Sequence, residues 1–399
     1  MKILLACQTA TNKGDRAIAE YIIKKLTEQG HEVVLSTTRP ALWETANVPV
    51  IRMGYRSIVR KTKSALVNKA LRVISKLICD KLLFANLIKK RGKHRLCQWV
   101  SREFIAAIRD ADLVIVTGGH HITSIREKNA MFQFTYDIGL VSLYAKRYVL
   151  WSQTIGPLEF TSERAKTFIG DAIKKAEKVY IRDENSLKCI DGLYGKLANL
   201  VKTYDSVFGY GDMEFPDVAD REKKVGIAIF DGLKKAFNTY DTLAKMLDLY
   251  VANGYAVEFF RMEYNDAEQN SIQQIISKMQ QKGDFRIHPF MTTTEAHLKE
   301  VASCRCFIGY KTHSVIMALT TATPLIAVAY HKKTVDFMND FDLGAYAIDD
   351  EALDETVAKK CMAILEENML QIQQAERLTA KKIAAQLEKD LFDMLNNEY

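Results

Sequence analysis

The chain has 399 residues, of which 48% are hydrophobic and 26% charged, with a formal net charge of +7. That length exceeds what one hydrophobic core ordinarily organises, so two domains are expected, and the balance is that of a globular protein rather than a disordered or fibrous one. No run of about 18 apolar residues occurs, which argues against a transmembrane helix. The seven scattered cysteines give neither a disulfide framework nor a zinc-site spacing, and Cys304 and Cys306 are the one close pair.

The N-terminal stretch MKILLACQTATNKGD lacks the long apolar core and small-residue cleavage site of a signal peptide. It reads as a strand entering a loop in a reduced, cytoplasmic protein. Ile18, Tyr21, Ile22 and Leu26 then recur at helical spacing, with Gly30 as C-cap, and HEVVLST supplies a second strand. A strand, loop, helix and strand in that order predict a parallel sheet with crossover helices. Residues 52 to about 108 are helical and basic. From 52 to 102 fifteen Lys and Arg face one acid, Asp80, a local net charge of +14 that leaves −7 for the rest of the chain.

The α/β rhythm resumes with ADLVIVTGGHH, a strand running into a Gly-Gly turn. RYVLWSQTIGP is a strand and loop, and KVYIRDENSLKCI is a strand, a loop and a helix start with Asp183 or Asn185 as N-cap. A further short strand precedes TYDSVF. GYGDMEFPDVADREKK, rich in Gly and acids, reads as the domain linker. A second set follows, with strands in KVGIAIF, YAVEFFRM, RCFIGY and TPLIAVAY and helices in YDTLAKMLDLYVANG, TEAHLKEVASC and THSVIMALTTA. From about residue 350 the pattern is helical. The expected architecture is α/β: two Rossmann-like domains facing across a cleft, 1–208 with the basic insertion 52–108 and 222–349, then long C-terminal helices over 350–399.

Ligands of doubly wound sheets sit beyond the carboxyl ends of strands and on helix N-termini, so the strand-end loops hold the candidates. The first is Asn12-Lys13-Gly14-Asp15. Gly14 permits a close backbone approach, and Asp15 either caps the next helix or handles a hydroxyl. The spacing fits neither G-x-G-x-x-G nor a P-loop. Gly118, Gly119 and His120 form a glycine loop, where His120 and His121 as adjacent residues are poor joint metal ligands. Gln153 opens a polar Gly-Pro-terminated strand end. Arg182, ending a strand beside a helix N-terminus, suits a carboxylate or phosphate, or else a surface pair with Asp183 or Glu184. Lys311 and His313 lie between a strand and a helix, and Lys332 and Lys333 follow the next strand. Parallel topology brings both loops to one sheet edge. His313 alone suits a core histidine, whereas the set suits an anion site.

In order and spacing these motifs resemble the polysaccharide pyruvyl transferase family. They are N-x-G-D after the first strand, V-x-x-G-G, Q-T-I-G-P, R-D-x-x-S, His before S-x-I-x-A-L, and P-L-I-A-V-A-Y-x-x-K. The resemblance covers roughly residues 1 to 345. It implies a fold like that of GT-B glycosyltransferases. It also implies transfer of a pyruvyl group from phosphoenolpyruvate to two hydroxyls of a sugar in a bacterial exopolysaccharide, capsule or cell-wall glycan precursor, forming a ketal and releasing phosphate. By position His313 matches the family's key histidine and Arg182 its basic residue. Lys311 stands where an arginine is usual, and His120 where a third glycine is common. A lysine keeps the charge without the bidentate fork.

The implied chemistry suits these residues. An imidazole titrates near neutral pH, so His313 as imidazolium is the expected general acid toward C3. Arg182, Lys311, Lys332 and Lys333 are expected to hold phosphoenolpyruvate. Asp15 is a base or hydroxyl anchor, and Asn12, Gly14, Gly118, Gly119, His120 and Gln153 line the cleft. No metal and no cofactor beyond this donor substrate are expected. The basic segment is either a solvated insertion or a surface for anionic lipid at the inner face of the membrane, suiting a polyprenyl-pyrophosphate-linked acceptor. Nucleic acid is not expected. The alternatives are a GT-B nucleotide-sugar glycosyltransferase, disfavoured because no E-x-x-x-x-x-x-E pattern follows His313, or a non-catalytic sugar-phosphate binding protein.

Overall fold

The computed structural model describes residues 1–8, 11–44, 46–53, 64, 66–67, 70, 102–124, 133–160, 163–229, 239–281, 283–329, 332–349 and 355–396. The basic segment 52–102 therefore lies almost wholly outside the described residues, and so does His331. The chain forms two compact units. One comprises Met1–Ala10 and Ile18–Asp205, and the other Thr11–Ala17 and Ser206–Tyr399.

The first unit holds strands β1 (Lys2–Gln8), β2 (Glu32–Thr37), β3 (Val50–Arg52), β4 (Leu113–Val116), β5 (Gly119–Ile122), β6 (Tyr148–Ile155), β7 (Val179–Ile181) and β8 (Leu200–Lys202). They form a parallel sheet in the order β3-β2-β1-β4-β6-β7-β8, with β5 paired to β6. Helices α1 (Lys13–Glu28), α2 (Arg102–Asp110), α3 (Gln133–Tyr144), α4 (Glu163–Lys175) and α5 (Glu184–Tyr194) are the crossovers. Strands such as Leu113–Val116 are buried along their whole length, as expected where helices cover both faces of a sheet. In α2 the residues Phe104, Ile105 and Ile108, spaced at helical intervals, are the buried ones. Asp183 is the N-cap of α5, its side chain accepting from Ser186 N.

The second unit repeats the scheme. Strands β9 (Glu222–Ala228), β10 (Ala256–Phe260), β11 (Phe285–His288), β12 (Cys304–Gly309), β13 (Leu325–Ala329) and β14 (Ala347–Asp349) alternate with α6 (Thr239–Ala252), α7 (Asp266–Lys278), α8 (Thr294–Ser303), α9 (Thr312–Thr320) and α10 (Lys332–Asp340). The parallel order is β11-β10-β9-β12-β13-β14, so the winding reverses between β9 and β12. A single 42-residue helix, α11 (Glu355–Asn396), follows.

Three details depart from the sequence expectation. The glycine turn after β4 continues as strand β5, because Gly119 adopts φ 144° and lets the chain rejoin the edge of β6. Residues 209–212, the start of the stretch expected as linker, belong to a largely buried 3-10 helix over Ser206–Asp212. There Phe208 stacks on Phe341 at 5.3 Å, which outweighs the loop-like composition. The expected set of C-terminal helices is one continuous helix, packed so closely that a Cβ on Gly211 would stand 2.7 Å from Ala380 O.

Candidate functional site

Crevices in doubly wound sheets open where the strand order reverses. In the second unit that point lies between β9 and β12, and the loop leaving β12 carries Lys311 and His313. Lys311 is the N-cap of α9, and its carbonyl accepts from Ser314 N at 2.8 Å. His313 therefore sits in the helix's first turn, half-buried, where unpaired N–H groups gather.

Residues 11–17 belong to this same unit. Their backbone docks on the loop after β10: Lys13 N donates to Met262 O at 2.8 Å and Tyr264 N to Thr11 O at 2.9 Å. Asn12 then serves two partners. Its Oδ1 accepts from Gly14 N at 2.8 Å and Asp15 N at 3.3 Å, so Asn12 caps α1. Its Nδ2 donates to Glu263 Oε1 at 2.8 Å. Gly14 lies directly behind the imidazole, and a Cβ there would stand 1.9 Å from His313 Cγ. The close approach that glycine permits is thus made to His313. Asp15 is half-buried in the first turn of α1.

Lys311 is 6% exposed and faces carboxylates. Its Nζ donates to Glu263 Oε1 at 2.9 Å and lies 3.9 Å from Glu268 Oε1. Glu268 is fully buried and accepts from Met262 N at 3.0 Å and Glu263 N at 2.9 Å. Burial pushes its carboxyl up to about 7, against the pull of Lys311 and the backbone donors. Lys13, also fully buried, is anchored by Phe290 O at 2.9 Å and by Thr292 Oγ1 at 3.0 Å. Lys332 and Lys333 open helix α10 rather than a loop, and their side chains lie outside the described ones.

The remaining candidates belong to the first unit. Gln153 is fully buried, and its Nε2 donates to the carbonyls of Val116 at 3.0 Å and Thr117 at 2.9 Å, tying β6 to the end of β4. Gly118 passes so close to β6 that a Cβ would meet Ser152 O at 2.2 Å. His120 Nε2 hydrogen-bonds Gly156 O. The Arg182 side chain is 9% exposed, with Nη1 on Asp205 and Nε donating to Thr154 Oγ1 at 2.9 Å. Its partner is neither Asp183 nor Glu184. In this unit the glycines and Gln153 shape the strand ends, and Arg182 is held by a buried acid.

The structure thus gathers Asn12, Gly14, Asp15, Lys311 and His313 in one unit and Gly118, Gly119, His120, Gln153 and Arg182 in the other. Glu263, Glu268 and Lys13 were not singled out from the sequence. Glu263 follows β10 in RMEYND, a strand-end loop like those that held the other candidates, so the same rule applied to that strand finds it. Among the described residues no group of three or more His, Cys, Asp and Glu is arranged to hold a metal ion. No described helix is long and apolar enough to cross a membrane.

Residues 12–332 match the family model for polysaccharide pyruvyl transferase. The amylovoran biosynthesis protein AmsJ of Erwinia amylovora is 21% identical over 98% of this chain and its own full length. Among solved structures the spinosyn rhamnosyltransferase SpnG is similar, with 12% identity, TM-score 0.53 and coverage of 98% of this chain and 100% of that one. Anabaena Alr3699/HepE in complex with UDP-glucose has 11% identity and TM-score 0.56, with full coverage of both chains. MnaA of S. aureus, in a co-structure with UDP, has 10% identity and TM-score 0.59, over 99% of this chain and 97% of that one. These likenesses establish the fold as that of the GT-B glycosyltransferases. The match over residues 12–332 shows that the chain belongs to the polysaccharide pyruvyl transferase family.

Proposed function

We propose that this chain transfers the pyruvyl group of phosphoenolpyruvate onto two hydroxyls of one sugar in a bacterial exopolysaccharide, capsule or cell-wall glycan precursor, forming a ketal and releasing phosphate. The observation that carries this reading is the position of His313. It lies within the span matching the family, in the first turn of α9 at the reversal of the second sheet, braced by Gly14.

In this reading His313 as imidazolium delivers a proton to C3 of the donor, which makes C2 electrophilic. The N-terminal N–H groups of α9 and the lysines opening α10 offer positive charge to the phosphate and carboxylate. Lys311 serves the site through Glu263, to which it is bonded, rather than as an isolated anion ligand. Asp15 is assigned to an acceptor hydroxyl. An acceptor carried on polyprenyl pyrophosphate would place the enzyme at the inner face of the membrane. Sedimentation with phosphatidylglycerol vesicles at low and high salt tests that placement, and no binding at low salt rejects it.

The function is tested by incubating the protein with phosphoenolpyruvate and a panel of methyl hexopyranosides while following phosphate. Wild type is expected to release phosphate only when a sugar is present, and His313→Ala is expected to lose 10²- to 10⁴-fold, roughly the contribution of general acid catalysis. Near-normal turnover by His313→Ala removes the histidine from the mechanism. A thermal shift with nucleotide sugars and none with phosphoenolpyruvate selects the glycosyltransferase alternative.

A further inference from the structure

Pyruvyl transfer needs a group that takes a proton from the attacking hydroxyl, and the geometry points to Glu263 as that base, an inference that rests on the pyruvyl-transfer reading. Glu263 follows β10, and the cluster around Asn12 connects it to His313. Asn12 holds Glu263 with its amide nitrogen and Gly14 with its amide oxygen, and Gly14 in turn backs the imidazole.

The two carboxyl oxygens of Glu263 differ. Oε1 receives Asn12 Nδ2 at 2.8 Å and Lys311 Nζ at 2.9 Å, so the carboxylate is fixed in direction. Oε2 has no hydrogen bond among the described residues, and the side chain is 23% exposed. One oxygen is immobilised and the other is left to accept, which is the preorganisation a base requires. The backbone is fixed as well. Glu263 N donates to buried Glu268 at 2.9 Å, and Arg261 Nη2 donates to Asn265 O at 2.7 Å, so the loop cannot carry the carboxylate away. Lys311 also acquires a role here. A lysine presents a compact charge and single-point donors, which suits one carboxylate oxygen better than a forked guanidinium does.

The proton count closes. The first hydroxyl loses its proton to Glu263 Oε2 and its oxygen bonds to C2, while His313 protonates C3 of the enol. Phosphate then departs by cleavage of its bond to C2, taking the proton from Glu263 and leaving as hydrogen phosphate. The second hydroxyl of the same sugar closes the ketal at C2, and its proton restores the imidazolium.

The test uses the full chain with phosphoenolpyruvate and the methyl hexopyranoside panel, comparing wild type, Glu263→Gln, Glu263→Asp and Asp15→Asn. Glutamine keeps an oxygen for Asn12 and Lys311, so the thermal midpoint and the shift caused by phosphoenolpyruvate should stay near wild type. Its kcat for phosphate release should fall 10²- to 10⁴-fold, roughly a general base's share. Glu263→Asp should recover part of the loss and melt with wild type, and Asp15→Asn should lose less than Glu263→Gln. Turnover of Glu263→Gln within threefold of wild type overturns the assignment. So does a loss of its phosphoenolpyruvate-induced shift in step with kcat, because Glu263 then only props Lys311. If wild type neither shifts with phosphoenolpyruvate nor releases phosphate, the pyruvyl-transfer reading fails, and the base falls with it.

Discussion

Gly14 and His313 are in contact in a way that no other residue at position 14 could allow: a Cβ there would stand 1.9 Å from the ring's Cγ and 2.1 Å from Nδ1. Gly14 sits in the first turn of α1, where alanine is intrinsically the better helix former by about 0.5–1 kcal/mol. A glycine kept against that preference serves the imidazole. Gly14→Ala must push the ring or the helix aside, at an overpacking cost of about 1–3 kcal/mol. We expect a small drop in thermal midpoint and a loss of phosphate release far beyond what the stability change explains. A variant that is more stable and equally active would show that the ring has room to move.

Lys13 precedes this contact and is an ammonium with no exposure, held by Phe290 O and Thr292 Oγ1 and lying 5.6 Å from the Phe290 ring centroid. It ties the loop after β11 to the segment carrying Asn12 and Gly14. Lys13→Met keeps the stem and removes the donors, leaving buried carbonyls short of a partner at about 1–3 kcal/mol. Chemical denaturation should read that loss in the transition of the second unit. An unchanged midpoint would mean that the carbonyls find other donors.

The two α/β sets and most strand cores were legible because parallel strands covered on both faces are continuous apolar runs, as in KILLA, LVIV and LIAVA. The short strand β11 and helix α7 were not singled out, since FRIH carries an arginine and a histidine and DAEQNSIQQIISK is a mostly polar surface helix. His313 and Lys311 were singled out as candidates because strand-end loops follow from topology. What sequence could not supply is partnership. Lys311 and Arg182 look alike as cations, yet each is already engaged by an acid far away in the chain, Glu263 or Glu268 for one and Asp205 for the other. Nor could spacing reveal that the close approach at Gly14 is to an imidazole.

The Arg182 and Asp205 pair is buried, with side-chain exposures of 9% and 0%. Breaking such a pair from one side strands a charge and ordinarily costs about 3–5 kcal/mol. Asp205→Asn is therefore expected to destabilise the first unit strongly, while Asp183→Ala, which removes the cap accepting from Ser186 N, should cost only about 0.5–2 kcal/mol. Parallel denaturant melts of the two variants give the ordering. An Asp183→Ala variant as damaged as Asp205→Asn would mean that the ion pair contributes no more than an ordinary helix cap.

Glu376 on α11 offers a stability test that does not involve the site. It is fully buried, and neither carboxyl oxygen has a hydrogen-bond partner among the described residues. Nearby Arg221 donates to the carbonyls of Thr321 and Ala322, both at 3.2 Å, closing the C-terminal end of α9. Burial pushes the Glu376 carboxyl well above the usual range, with Arg221 pulling the other way, and burial lowers Arg221 to about 10. The folded state therefore holds the Glu376 proton more tightly than the unfolded chain does. Stability from this group is fully present below the ordinary carboxyl value and is lost as pH rises toward the raised one. Glu376→Gln has the same shape and no charge to desolvate. Its thermal midpoint should match wild type near pH 4.5 and exceed it increasingly toward pH 8. A constant difference between the two proteins across that range would show that Glu376 keeps one protonation state throughout.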